Sequence, residues 1–79
     1  MADLIERISA AVHDRWMATK RSQGVISRTS ETGEEMMVPY DQLSELAKDL
    51  DRNSVRAVLE AVVAAGYEIL PKRGDGAHS

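Results

Sequence analysis

The chain contains no cysteine and no phenylalanine, and only 4% of its 79 residues are aromatic. Without cysteine it has no disulfide bonds and no thiolate metal ligands, so we expect its stability to come from packing or from a partner. The five glycines are scattered and form no phosphate-binding loop. A chain this short provides one small domain and is too short for stacked repeats or for an enzyme with a large buried cavity.

Long apolar runs are also missing, and the net charge is only −3. The charged residues near the N-terminus exclude a signal peptide or membrane span there, so we expect a cytoplasmic protein with no membrane partner. The negative balance disfavours binding to a polyanion such as nucleic acid. With two histidines and no cysteine, neither a metal site nor a cofactor is predicted. No nucleophile elbow is present either, so we predict no catalytic residue and no enzyme.

The hydrophobic pattern predicts a first helix over residues 3–23. Asp3 is suited to cap its N-terminus, and Gly24 is suited to end it. We expect Trp16, the only tryptophan, to lie in the core. The predicted buried stripe consists of large apolar residues three or four apart: Ile5, Ile8, Val12 and Trp16.

Residues 25–37 show no sustained periodicity and are rich in serine, threonine and glycine, which predicts a long loop. A loop of this length either contacts a ligand or partner or is a flexible loop on the surface. Pro39 then restricts Val38 to extended backbone, so the chain should turn towards the next helix at this point.

Two shorter helices are predicted after this turn, over residues 44–50 and 54–65, with Ser44 or Asp41 as the first cap and a turn at 51–53 between them. Gly66 should end the last helix, and residues 67–70 should be extended. The predicted fold is therefore a mainly α, three-helix domain over residues 1–70 with a disordered tail over 71–79. The expected inward-facing residues are Leu43, Leu46, Ala47, Leu50, Val55, Val58, Leu59, Val62 and Val63.

Several short motifs occur in a characteristic order between residues 11 and 69. They are Val12-His13-Asp14-x-Trp16 with Lys20 and Gly24, then Val38-Pro39-Tyr40-Asp41-x-Leu43, then Lys48 and Asp51-Arg52-Asn53, and finally Gly66-Tyr67-x-Ile69. In this order they resemble the ryanodine receptor repeat (RyR) domain. The pattern departs from that family at Val25, where an aromatic residue is usual, and at Glu34-Glu35, where a His-Pro pair is usual.

The resemblance implies a small, mainly helical, non-enzymatic domain packed around its tryptophan and tyrosine. It also implies a module that senses a ligand or binds a protein, and it does not imply calcium transport. We predict that this module binds a small anionic, nucleotide-like ligand or a protein partner. A single copy of such a domain could also pair with itself as a two-fold homodimer.

Five residues are predicted to form the ligand site. Lys20 and Arg52 would contact the anion, and Asp41 would orient them. Trp16 and Tyr40 would build the wall of the site.

A second interpretation is a DNA-binding helix-turn-helix regulator. The two predicted helices around residues 51–53 would supply it, with Arg52, Ser54 and Arg56 near the start of the recognition helix. The net negative charge and the absence of a basic stripe argue against it. It also leaves the Val38-Pro39-Tyr40-Asp41 motif unexplained, so the RyR interpretation is preferred.

Overall fold

Two long helices account for most of the fold. The computed structural model describes residues 2–72, with α1 at Ala2–Ser22 and α2 at Glu45–Ala64. The segment that connects them contains one antiparallel bridge between Thr29 and Glu35 and one 3-10 turn at Tyr40–Gln42. Neither described helix is long and apolar enough to cross a membrane. The mainly helical class is confirmed, but the described part of the chain has two helices and not the three that we predicted.

Both helices end in the way that their glycines predict. Gly24 and Gly66 adopt positive φ angles of 83° and 99°, a conformation that side chains with a Cβ rarely adopt. The amide of Val25 donates back to the carbonyl of Lys20, and the amide of Tyr67 donates back to the carbonyl of Val62. Each end is therefore a Schellman-type cap that satisfies otherwise unpaired carbonyl groups.

The start of α2 is also as predicted, whereas the start of α1 differs slightly. The Ser44 hydroxyl accepts from the amide of Ala47 at 3.1 Å, so Ser44 is the N-cap of α2. Asp3 lies inside the first turn of α1, which begins at Ala2, and is not a cap. The tail predicted over residues 71–79 lies, from residue 73 onward, outside the described residues.

The turn predicted at residues 51–53 is wrong, because α2 continues through it without a break. No glycine or proline interrupts α2, and the polar side chains that suggested a turn bond within the helix instead. Ser54 donates to the Leu50 carbonyl at 3.1 Å, and Asn53 accepts from Arg56 at 2.9 Å. A helix-turn-helix requires two helices at this position, so the described residues do not form that motif.

The buried stripe of α1 is rotated from the predicted one. Ile5, Ser9, His13 and Met17 are at most 5% exposed and follow one another at intervals of four residues. Val12 is 52% exposed. The prediction counted only large apolar residues, so it could not select Ser9 and His13, two polar residues that occupy the centre of the face.

The main core cluster lies where the proline turn meets both helices. Tyr40, Leu43 and Ala47 are its buried members, with Ala10, Met36 and Val38 packed around them. In α2, Val55 is also buried. Because α2 is continuous, several of its residues that we expected to face inward face solvent instead. The following are more than half exposed: Leu46, Leu50, Val58 and Val63.

Candidate functional site

The candidate site is built around His13, a polar side chain that is only 4% exposed. Its Nε2 atom donates a hydrogen bond to the carbonyl oxygen of Val38 at 2.7 Å. Because a carbonyl oxygen can only accept, this bond places a proton on Nε2. The imidazole therefore has a fixed orientation and joins α1 to the residue that precedes the proline turn.

Two aromatic rings flank His13. The Trp16 ring stacks on the imidazole, with ring centroids 5.6 Å apart and 27° between the planes. The Tyr40 ring lies 6.2 Å away and is tilted by 58°. Tyr40 belongs to the core, whereas Trp16 is only half-buried, contrary to our prediction that it lies in the core. Part of the indole is therefore accessible from solvent beside the histidine.

A pocket of about 200 Å³ opens beside the stacked rings. It is lined by Val12, His13 and Trp16 from α1, Met36 from the connecting segment and Asp51 from α2. Three separate parts of the chain thus form one wall each. Asp51 is the charged residue of this lining, so the pocket combines an aromatic and apolar surface with one carboxylate.

The Asp51 carboxylate lacks a hydrogen-bond partner for one of its oxygens in this position. Its Oδ2 atom is buried and has no hydrogen-bond partner. His13 Nδ1 lies 4.0 Å from this oxygen, which is too long for a hydrogen bond. Burial raises the pKa of the Asp51 carboxyl above its usual value, and a positive charge on the His13 imidazole would oppose that rise. A buried acceptor without a donor is costly for the folded protein, and such atoms call for an explanation.

Arg52, the next residue, has a different environment. Its guanidinium donates to both carboxylate oxygens of Glu6 at 2.6 and 3.0 Å. It also donates to Glu45 at 3.0 Å and to Asp49 at 2.8 Å. The Tyr40 hydroxyl adds a bond to Glu6 at 3.3 Å. Hydrogen bonding from Arg52 lowers the pKa of Glu6 below its usual value. Arg52 is therefore a cross-link between α1 and α2 whose charge is already matched by carboxylates.

The five residues predicted to form the ligand site do not lie together. Trp16 lines the pocket, Tyr40 is buried in the core and Asp41 is exposed in the 3-10 turn. Arg52 contacts Glu6, whereas Lys20 is fourteen residues further along α1, or about 21 Å at the rise of an α-helix. Lys20 follows Trp16 by four residues and so lies one turn beyond the pocket on the same side of α1.

The sequence analysis missed the role of Asp51 and of Glu6. The predicted turn at residues 51–53 includes Asp51, and Asp41 is the acidic residue predicted for the ligand site. A prediction of one continuous helix would have placed Asp51 in the protein interior. Asp51 then lies four residues from both Ala47 and Val55 on the buried face of α2. Glu6 gave no comparable signal, since its partner is 46 residues away.

Two carboxylates of the connecting segment hold its backbone in place. Glu34 accepts from the amide and hydroxyl of Ser44 at 2.8 and 2.7 Å, which joins the segment to the start of α2. Glu35 accepts from the amides of Arg28 and Met37 at 2.8 and 3.0 Å and from the Ser27 hydroxyl. These hydrogen bonds lower the pKa of each carboxyl below its usual value of 4.5.

We expect these bonds to make the domain acid-labile. A carboxyl whose pKa is lower in the folded protein stabilises it above about pH 4.5, and that stability is lost as the pH falls through the folded-state value. Glu6, Glu34 and Glu35 all act in this direction, and Asp51 acts in the opposite one. Thermal unfolding followed by circular dichroism should therefore give a Tm that is flat above about pH 5 and falls below it. A Tm that rises on acidification would contradict this assignment, and a Glu34→Gln/Glu35→Gln variant should show a smaller acid-dependent fall than the parent.

The described residues thus form a small helical domain in which a pocket of the size of a ring lies beside a buried histidine and a half-buried tryptophan. The family model of the RyR domain matches residues 1–71 of this chain. The chain therefore belongs to the RyR domain family, which confirms the resemblance drawn from residues 11–69. Among curated proteins, none matches the chain.

Proposed function

We propose that this RyR domain is a non-enzymatic binding module and that its pocket takes the planar part of a small anionic, nucleotide-like ligand. The observation that carries the proposal is the pocket of about 200 Å³ in which the half-buried Trp16 ring lies beside the Asp51 side chain, which is 33% exposed. A bound ring that stacks on the indole and donates to the accessible part of the Asp51 carboxylate would cover the exposed aromatic surface.

The size and the charge of the pocket determine how such a ligand would lie. Pockets that enclose a whole small molecule are commonly ~300–1,000 Å³, and this one is about 200 Å³. It therefore takes the ring alone. The anionic group must lie outside, because the Asp51 carboxylate would repel it, and Lys20 is one helical turn from Trp16. Arg52 is not a ligand contact in this arrangement, since three carboxylates already occupy its guanidinium.

The test is the contribution of Lys20 to binding, measured by calorimetry with AMP as the probe. We expect Lys20→Ala to weaken binding by about tenfold, because it removes a charge-assisted contact to the phosphate. We also expect the affinity of the parent chain to fall with added salt. Arg15→Ala is the matched control, because Arg15 is an exposed cation next to Trp16 in sequence that does not line the pocket.

Equal losses in the Lys20→Ala and Arg15→Ala variants would show a diffuse charge effect and contradict the assigned position of the anion. No detectable binding of AMP or of other nucleoside monophosphates at millimolar concentration would contradict the proposed function itself. A protein-binding role would then be the alternative to pursue. The two-fold homodimer and the cytoplasmic location stay predictions.

A further inference from the structure

We infer that Met36 limits the size of the ring that the pocket beside Trp16 accepts, because its side chain separates this pocket from a larger groove along α2. The inference rests on the proposed function and names the residue that selects among nucleotide-like ligands. It is carried by the lining that two neighbouring cavities share.

The two cavities have Met36 in common. Met36 lines the pocket of about 200 Å³ beside Trp16, and it also lines a groove of about 390 Å³ between α2 and the connecting segment. On α2, Asp51 lines the pocket, whereas Ala47 and Leu50 line the groove. Leu50 directly precedes Asp51, and Ala47 lies about one helical turn before it. The pocket and the groove therefore lie side by side along α2, with the Met36 side chain at their common boundary.

Met36 lies at the end of the pocket that is opposite to Lys20. Met36 and Ala10 both pack against the core cluster, and Ala10 precedes Trp16 in α1. Lys20 follows Trp16 by one helical turn. A nucleotide whose base stacks on Trp16 and whose phosphate lies near Lys20 therefore has the far edge of its base at Met36. In adenine, the edge remote from the ribose carries the amino nitrogen N6.

The groove beyond Met36 is suited to an uncharged apolar group. Leu46 and Leu50 form its wall on α2, and each is 61% exposed. The charged residues of its lining are Glu31 and Glu34, so a phosphate group is repelled from it. An aromatic substituent on the far edge of the base would cover the two leucines.

The Met36 side chain is what keeps such a substituent out. Replacement of Met36 by alanine removes every side-chain atom beyond Cβ and joins the pocket to the groove. The joined site then falls in the range of ~300–1,000 Å³ that encloses a whole small molecule. With Met36 in place, a substituent at this edge has to displace a side chain that is packed against the core.

A comparison of AMP with N6-benzyl-AMP tests this role by calorimetry on the full chain. N6-benzyl-AMP keeps one hydrogen on N6, so the two ligands differ mainly in size. We expect the parent chain to bind N6-benzyl-AMP at least about tenfold more weakly than AMP. In the Met36→Ala variant, N6-benzyl-AMP should bind at least as tightly as AMP, because the benzyl group enters the groove. A purely structural effect of the substitution would weaken both ligands together, so the ratio of the two affinities is the result that matters.

Two variants serve as controls. Met37→Ala changes the adjacent methionine, which is also partly buried but lines neither the pocket nor the groove, and it should keep the ratio of the parent. Met36→Leu nearly conserves the side-chain volume and should keep it as well.

The outcomes separate this inference from the proposed function. If AMP binds but the parent does not discriminate against N6-benzyl-AMP, or if Met36→Ala leaves the ratio unchanged, the role of Met36 is overturned while the binding function stands. If the parent binds neither nucleotide, the proposed function fails and this inference fails with it.

A second measurement needs no substitution at Met36, which also contacts the core. The chain has four methionines, and carbon-13 labelling of their methyl groups gives each a separate NMR signal. Saturation with AMP should shift the Met36 methyl signal, because the ring of the bound base lies against it, and should shift the Met37 signal much less. A Met36 signal that does not move while AMP is bound would overturn the inference.

Discussion

Replacement of Leu43 by alanine should lower the free energy of unfolding by about 2–5 kcal/mol, the usual range for removal of a buried leucine side chain. Leu43 is 4% exposed and packs with Tyr40 and Ala47 at the centre of the core. A domain of 79 residues has a total stability of ~4–12 kcal/mol. The loss is therefore a large share of the whole, and urea unfolding followed by circular dichroism should show it as a lower midpoint.

Leu46→Ala is the control for this effect. It removes the same atoms three residues further along the chain, at a side chain that is 61% exposed. Its effect should stay within about 0.5 kcal/mol. Comparable losses from the two substitutions would mean that Leu46 is covered in solution, for example by a second copy of the chain, and would contradict the packing described for the single chain.

Arg52→Ala should destabilise the domain several-fold more than Arg56→Ala. Arg52 joins α1 to α2 through Glu6 and also contacts Glu45 and Asp49, so its removal leaves three carboxylates close to one another. Arg56 donates only to Asn53 within α2 and provides a matched arginine on the same helix. Breaking one partner of a hydrogen-bonded ion cluster costs more than removing an exposed side chain.

Two further measurements separate the ion cluster from general surface charge. The difference between the two arginine variants should shrink at high salt, since the Arg52 cluster is partly open to solvent. Glu6→Gln should reproduce part of the Arg52→Ala effect, because it removes the charge that Arg52 contacts on α1. Thermal unfolding curves in which the two arginine variants coincide would show that the cross-link does not hold the helices together.

The sequence predicted those features that depend on neighbouring residues. The start of α2 at Ser44 and the ends of both helices at Gly24 and Gly66 are confirmed, since each is set by local capping chemistry. The same local reasoning failed at residues 51–53. Asn53 and Ser54 are typical of turns, but in a helix without glycine or proline their side chains found partners inside the helix.

The parts that could not be predicted depend on contacts between distant residues. Glu6 meets Arg52 and His13 meets Asp51 only after the two helices pack against each other. The hydrophobic pattern also ranked Trp16 above His13 as a core residue, since it scores apolar size and not hydrogen bonding. In the structure His13 is the more buried of the two residues. The carbonyl of Val38 accepts a hydrogen bond from the imidazole and so allows it to be buried, while the indole of Trp16 stays half-buried beside it.

Fluorescence of Trp16 is the most direct test of the central claim that a planar ligand ring binds in this pocket. Trp16 is the only tryptophan of the chain and lines the pocket, so its emission reports on this site alone. Titration with AMP should give saturable quenching in the parent chain and weaker binding in an Asp51→Asn variant, because Asp51 lines the pocket. Emission that stays unchanged while calorimetry detects bound AMP would place the ligand elsewhere and contradict the account.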